Sequence, residues 1–219
     1  MGLRRRFWTP FFAVPRGPLG WLGARMMASM KGNAFQGLAA ELDLRSEDEL
    51  LDVGCGSAKF LADHAGHVRH VAGIDASELQ VDWARRRLAE RIAAGTAEIV
   101  LGDAGDLPWE DDRFSVVTSL DALKFVPDPA AALAEMHRVL RPGGRAVIAM
   151  GDDSSRSSLD SGFKNAWGIW DWNDADAQQL VEAAGFVDVA VSALPVLSKP
   201  QLVRAMKPAS STADAAAAG

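Results

Sequence analysis

The sequence predicts a single doubly wound α/β domain with a mostly parallel, seven-stranded sheet. Three observations carry this expectation. From about residue 49 onward, short apolar runs of strand length alternate with stretches of helical periodicity, the order that builds a parallel sheet through right-handed crossovers. The first run, Leu50-Leu51-Asp52-Val53, delivers the chain to Gly54-Cys55-Gly56, a glycine turn immediately before a helix can start. The second and third runs end in Asp75 and Asp103, acidic residues at the strand tips where such sheets bind ligands.

Strands are expected at about 49–53, 70–74, 97–101, 115–119, 145–150, 187–193 and 201–206. Helices are expected between them at about 57–65, 77–93, 129–139 and 174–184. The first helix follows the glycine turn. The second opens on Ser77-Glu78-Leu79-Gln80, a capping box, with Val81, Ala84, Leu88 and Ile92 as its inward stripe. Arg85-Arg86-Arg87 then reads as its solvated outer face. The helix at about 129–139 runs into Pro142-Gly143-Gly144, a turn feeding strand five. Residues 151–173 are irregular and tryptophan-rich, after which Asp174 can cap a helix ending at Gly185. Before the domain, a helical pattern from Leu19 to about Leu42 is interrupted around Lys31-Gly32-Asn33. The organisation is therefore a helical N-terminal segment over 1–40, a domain over 41–207 and an alanine- and serine-rich tail over 208–219, expected to be disordered.

A chain of 219 residues, 48% apolar and 24% charged, is long enough for one such domain with a sizeable core. Without a run of about 18 uncharged apolar residues, no transmembrane helix is expected. An apolar core before a small-residue cleavage site, as a signal peptide needs, is not seen. The sole cysteine, Cys55, cannot form an internal disulfide, which fits a cytoplasmic setting. Net charge is −6, but residues 1–40 hold six basic residues (Arg4, Arg5, Arg6, Arg16, Arg25, Lys31) and no acid. The acidic remainder disfavours nonspecific nucleic-acid binding. In the basic head, Phe7, Trp8, Phe11, Phe12, Trp21 and Leu22 interleave with the arginines. That pattern suits either a lid over the active site or peripheral contact of residues 1–18 with an anionic inner-membrane surface. Pro10, Pro15 and Pro18 exclude a continuous helix before about residue 19.

Two glycines one apart let a ligand lie against the backbone. Asp75, 21 residues after Gly54, is placed to accept hydrogen bonds from both ribose hydroxyls; a nicotinamide dinucleotide site has an acid at about this distance too. The further acid Asp103 favours an adenosine lying across several strand ends, with its exocyclic amine facing that carboxylate.

The chain here resembles the class I S-adenosylmethionine-dependent methyltransferases, in their small-molecule branch, whose domain is Rossmann-like. The resemblance rests on Asp52-Val53-Gly54-Cys55-Gly56, Gly73-Ile74-Asp75-Ala76-Ser77, Gly102-Asp103-Ala104 with Leu107-Pro108-Trp109, and Arg113-Phe114-Ser115-Val116-Val117. It continues through Leu123-Lys124-Phe125-Val126-Pro127-Asp128-Pro129 and Val139-Leu140-Arg141-Pro142-Gly143-Gly144. It implies S-adenosylmethionine as cofactor, held by Asp52, Gly54, Cys55, Gly56, Asp75, Ala76, Gly102, Asp103, Ala104, Leu120 and Asp121. In the resembling family the Ala104 amide meets the adenine, and the residues after strand four line the sulfonium end. Ala58 stands where the family usually has a third glycine; an alanine there would raise helix propensity.

Methyl transfer asks chiefly for positioning, with a general base only if the accepting atom must lose a proton. Candidate bases are Asp121, Asp152, Asp153 and His137, with Asp121 best placed and His137 read as structural. His64, His67 and His70 straddle a helix end and a strand start, so no metal site is expected. Cys55 fits as a small turn residue rather than a nucleophile. Phe163, Trp167, Trp170 and Trp172 are candidates to line an apolar acceptor pocket or to anchor an irregular segment. The expected function is methyl transfer to a small, lipophilic acceptor. Alternatives are a quinone or lipid methyltransferase at a membrane surface, a catalytically weak S-adenosylmethionine-binding protein and, more distantly, a nicotinamide oxidoreductase.

Overall fold

The structure is a computed structural model that describes residues 42–150, 170, 172–193 and 201–210. The N-terminal segment over 1–40, most of 151–173 and the tail beyond residue 210 lie outside the described residues.

Seven strands form one sheet: β1 (Glu49–Val53), β2 (His70–Asp75), β3 (Ala97–Leu101), β4 (Phe114–Leu120), β5 (Leu140–Met150), β6 (Val187–Ala193) and β7 (Gln201–Met206). Their order is β3-β2-β1-β4-β5-β7-β6. All pairs are parallel except those made by β7, which runs antiparallel to both β5 and β6. Between them run α1 (Lys59–His64), α2 (Glu78–Arg87), α3 (Ala89–Ala93), α4 (Pro129–Val139) and α5 (Asp174–Ala183).

Neighbouring residues of each strand point to opposite faces, and both faces are covered. Leu51, Ala72, Val117, Ile148 and Val203 pack with α4 and α5 through Leu133, Met136, Ala177 and Val181. Leu50, Val71, Val116, Val147 and Leu202 pack with α1 and α2 through Leu61, Val81, Ala84 and Leu88. Burial on both faces explains why the strands read as continuous apolar runs; every residue of the central strand β4 is buried.

Several elements differ from expectation. The second helix divides at Leu88 (φ −103°, ψ 16°), although Leu88 N–H still donates to Ala84 O and Ile92 N–H to Leu88 O. Strand β5 begins at Leu140 rather than 145. Phe114 pairs with Leu140 and Val116 with Arg145, so Pro142-Gly143-Gly144 is a bulge within the strand, tied to the residue after β7 by Gly143 N–H to Lys207 O. Asn173, not Asp174, caps α5, its side chain accepting from Asp176 N–H at 2.9 Å. Among the described residues no helix is long and apolar enough to cross a membrane.

The order reverses beside β1, whose neighbours are β2 and β4. The loops leaving the carboxyl ends of β1 and β4 meet at this switch point, where doubly wound sheets form their crevice.

Candidate active site at the carboxyl edge

The glycine turn is anchored to the tip of β2. Gly54 N–H and Cys55 N–H both donate to Ile74 O, at 2.9 and 3.0 Å. The two glycines have different reasons to be glycine. Gly54 has φ +78°, and a Cβ there would stand 2.2 Å from the Cβ of Ala122 in the loop after β4. It is glycine so that two loops can touch. Gly56 has φ +54°, and among the described residues beyond its two neighbours its Cβ direction meets only Gln80 Oε1, at 3.9 Å. Its missing side chain leaves the open face over the turn.

Asp75 is fixed beside that face. Gly56 N–H donates to its Oδ2 at 2.8 Å and Ser77 N–H to its Oδ1 at 2.9 Å. One carboxylate thus ties the glycine turn to the start of α2. Ser77 Oγ accepts from Gln80 N–H, so the expected capping box is half made: Ser77 N–H goes to Asp75, and the Gln80 side chain does not close it.

Ala58 departs from the expected role. It precedes α1 in the left-handed region (φ 54°, ψ 33°), fully buried, so its helix propensity is irrelevant. The strain of roughly 1–2 kcal/mol for a left-handed alanine opposes the burial of its methyl group, about 0.8 kcal/mol, and its lower freedom when unfolded. Ala58→Gly should therefore shift urea-unfolding stability by less than about 1 kcal/mol, and a loss above about 2 kcal/mol would contradict this account.

Two of the three arginines expected in solvent have partners. Arg85 donates from Nε and NH2 to Ile99 O of edge strand β3, at 3.1 and 3.0 Å. Arg87 grips the glycine turn, donating to Ser57 O and, at 2.7 Å, to Ser57 Oγ. Asp52 is buried inside β1 and accepts from Thr118 Oγ1 at 2.8 Å; its place is under the turn. Burial, then the Asp75 and Asp52 carboxylates, push the Cys55 thiol up, so it is a packed thiol and no nucleophile at neutral pH.

The remaining candidates distribute along the same edge. Ala76 is exposed and Leu120 buried. Gly102 N–H donates to Asp75 O at 3.1 Å. Asp103 is exposed and its Oδ1 accepts from Gly105 N–H at 2.9 Å, closing the turn that carries Ala104. That loop is pinned from α4: Glu135 accepts from Leu107 N–H at 2.8 Å, and Arg138 donates to Glu135, Trp109 O and Leu107 O. Asp121 sits at φ +60° after β4, its N–H on Ala149 O and its carboxylate ion-paired with Lys124.

Trp170 folds onto that loop, with Nε1–H to Val126 O and N–H to Lys124 O, both at 2.9 Å. Trp172 stacks against it at 6.2 Å and is buried in the core. Phe163, Trp167, Asp152 and Asp153 lie outside the described residues. His137 is at the far edge, in the last turn of α4 against the ring of Phe186, too remote for a base at this site. Among the described residues no three His, Cys, Asp or Glu side chains gather as a metal set.

Residues 51–148, from β1 into β5, match the family model described as "Methyltransferase domain". Over that stretch this chain is similar to methyltransferase domains. Its curated relatives include a demethylmenaquinone methyltransferase of Staphylococcus saprophyticus, 38% identical over 49% of this chain and 46% of the relative. A 27-O-demethylrifamycin SV methyltransferase of Amycolatopsis mediterranei is 39% identical over 52% of this chain and 42% of the relative. The chain spans less than half the length of these curated relatives. Among solved structures, a phosphoethanolamine N-methyltransferase 2 of Haemonchus contortus in complex with S-adenosyl-L-methionine superposes with TM-score 0.70 at 16% identity, over 95% of this chain and 60% of that one. The [4+2]-cyclase SpnF superposes with TM-score 0.69 at 20% identity, over 90% and 85%.

The crevice fits S-adenosylmethionine. The open face over Gly56 admits a ligand against the backbone, and the Asp75 carboxylate held beside it suits a vicinal diol. Arg87, Ser77 and Gln80 are the site residues that sequence reading missed or misplaced. For Gln80 a signal existed, since Asp75 two residues before Ser77 competes for the same amide.

Proposed function

We propose that this protein binds S-adenosylmethionine at the carboxyl edge and transfers its methyl group to a small, lipophilic acceptor. The observation that carries the reading is Asp75, bound by the amides of Gly56 and Ser77 next to the open face of the glycine turn. When bound, the cofactor supplies a methyl group on a sulfonium sulfur, already a strong electrophile. The chain's part is to hold ribose at Asp75, adenine near Asp103 and Ala104, and the reacting end by Leu120 and Asp121. Lys124 already pairs with Asp121, so that carboxylate serves the loop after β4 first and a proton transfer second.

The lipophilic acceptor is supported by relatives named for demethylmenaquinone and a rifamycin, and by the apolar Trp170–Val126 cover on the loop after β4. Residues 1–18, with their arginines and aromatics, complete this reading as a lid or a contact with anionic lipid.

Calorimetric titration tests the cofactor: S-adenosylhomocysteine should bind and NAD should not. Transfer of labelled methyl to a demethylated quinone or polyketide should then follow. Binding of NAD alone would return the site to a nicotinamide oxidoreductase, and cofactor binding without transfer to any extract would leave a binding protein.

A further inference from the structure

We infer that Gln80 is a specificity residue of the nucleoside site, its side-chain oxygen accepting a hydrogen bond from a ribose hydroxyl beside Asp75. The inference rests on the proposed nucleoside site. Gln80 lies in the first turn of α2, three residues after Ser77. At that position a glutamine ordinarily reaches back to the N–H of the capping residue. Here Ser77 N–H donates instead to Asp75 Oδ1 at 2.9 Å, because a carboxylate is the stronger acceptor. Gln80 Oε1 is thereby released. It is buried and, among the described residues, has no hydrogen-bond partner.

A buried acceptor without a donor is destabilising and in a native structure calls for a reason. Its position supplies one. Among the described residues, the two neighbours of Gly56 aside, Gln80 Oε1 is the one atom within 4 Å of the point that a Cβ on Gly56 would occupy, at 3.9 Å. Gly56 N–H is in turn bound to Asp75 Oδ2. Whatever lies against the open face of Gly56 therefore meets two acceptors at once, the carboxylate of Asp75 and the amide oxygen of Gln80. The matching chemistry is a pair of neighbouring donors, as the two hydroxyls of a ribose provide. A deoxyribose or an aliphatic chain would leave Gln80 Oε1 unpartnered.

The experiment compares the full chain with Gln80→Met, which keeps length and removes the acceptor, by titration with S-adenosylhomocysteine and with its 2′-deoxy and 3′-deoxy analogues. Wild type should bind S-adenosylhomocysteine roughly five- to tenfold more tightly than Q80M, as expected for one hydrogen bond. On the deoxy analogue lacking the relevant hydroxyl the two proteins should bind alike. The ligand-free variant should melt no lower than wild type, since an orphaned acceptor has been removed; a purely structural glutamine would lower the melting temperature instead. Gln80→Ala repeats the comparison should Q80M fail to fold. Equal affinity of wild type and variant for S-adenosylhomocysteine would overturn the role of Gln80 alone. Failure of wild type to bind S-adenosylhomocysteine would overturn the nucleoside site, and this inference with it.

Discussion

A Gly56→Val variant should fold and lose nucleoside binding, whereas Gly54→Ala should lose folded stability itself. The two glycines share one turn, and their surroundings separate them. Among the described residues a Cβ on Gly56 would meet only Gln80 Oε1, in ordinary contact at 3.9 Å. A valine there puts its branched side chain into the crevice and strains a left-handed residue, so affinity for S-adenosylhomocysteine should fall at least about a hundredfold, or about 2.8 kcal/mol. At Gly54 the added Cβ would lie 2.2 Å from Ala122 Cβ at φ +78°. The loop after β4 must move away, and overpacking together with left-handed strain should cost about 2–5 kcal/mol. Thermal melts separate the cases, and calorimetry on the folded variant completes the test. Native affinity in Gly56→Val would refute close approach of a ligand at that residue. A Gly54→Ala protein as stable as wild type would show that the two loops do not depend on contact.

The strands were legible because burial on both faces leaves runs of apolar residues with little else to do. Glu49–Val53, Ala97–Leu101 and Gln201–Met206 fall where those runs lie. Strand β5 was misread because Pro142-Gly143-Gly144 has turn chemistry and the structure absorbs it as a bulge. Within the site, spacing placed Gly54, Gly56 and Asp75 along one edge. What spacing could not show were bonds between residues distant in sequence. Arg87 reads as a solvated helix residue until Ser57, thirty positions earlier, is seen beside it. Arg85 likewise finds Ile99 O on the sheet edge. Ser77-Glu78-Leu79-Gln80 has the composition of a capping box, yet a charged acceptor from the preceding strand takes the amide that the glutamine would have taken. Local propensity is outvoted wherever a carboxylate or a guanidinium arrives from another element.

The largest such case lies at the opposite edge of the sheet, and Asp48→Ala should cost the protein about 3 kcal/mol of stability. Asp48 is 1% exposed. Its oxygens accept from Ser115 Oγ at 2.6 Å, Arg145 NH2 at 2.6 Å and Arg45 N–H at 2.8 Å. Its own carbonyl accepts from Arg69 N–H. Arg145 in turn donates to Leu42 O and Asp43 O, each at 2.6 Å, so one carboxylate joins the entry to β1 with β4 and β5. Alanine would leave the Arg145 guanidinium without its counter-charge and Ser115 Oγ with only its longer bond to Glu49 O. Asp48→Asn should cost less, since it keeps one acceptor oxygen. Burial alone would raise the Asp48 carboxyl, but the bonds from Arg145, Ser115 and the Arg45 amide together outweigh it and hold it below its ordinary 3.8. A group depressed in the folded state contributes stability that is complete above its unfolded value and is lost as pH falls through the folded one. Wild type should therefore lose its advantage over Asp48→Asn as pH drops below about 4. Urea unfolding at neutral pH and across that acid range measures both effects. A stability gap between the two proteins that stayed constant down to pH 3, or widened, would mean that the Asp48 charge is not what joins these strands.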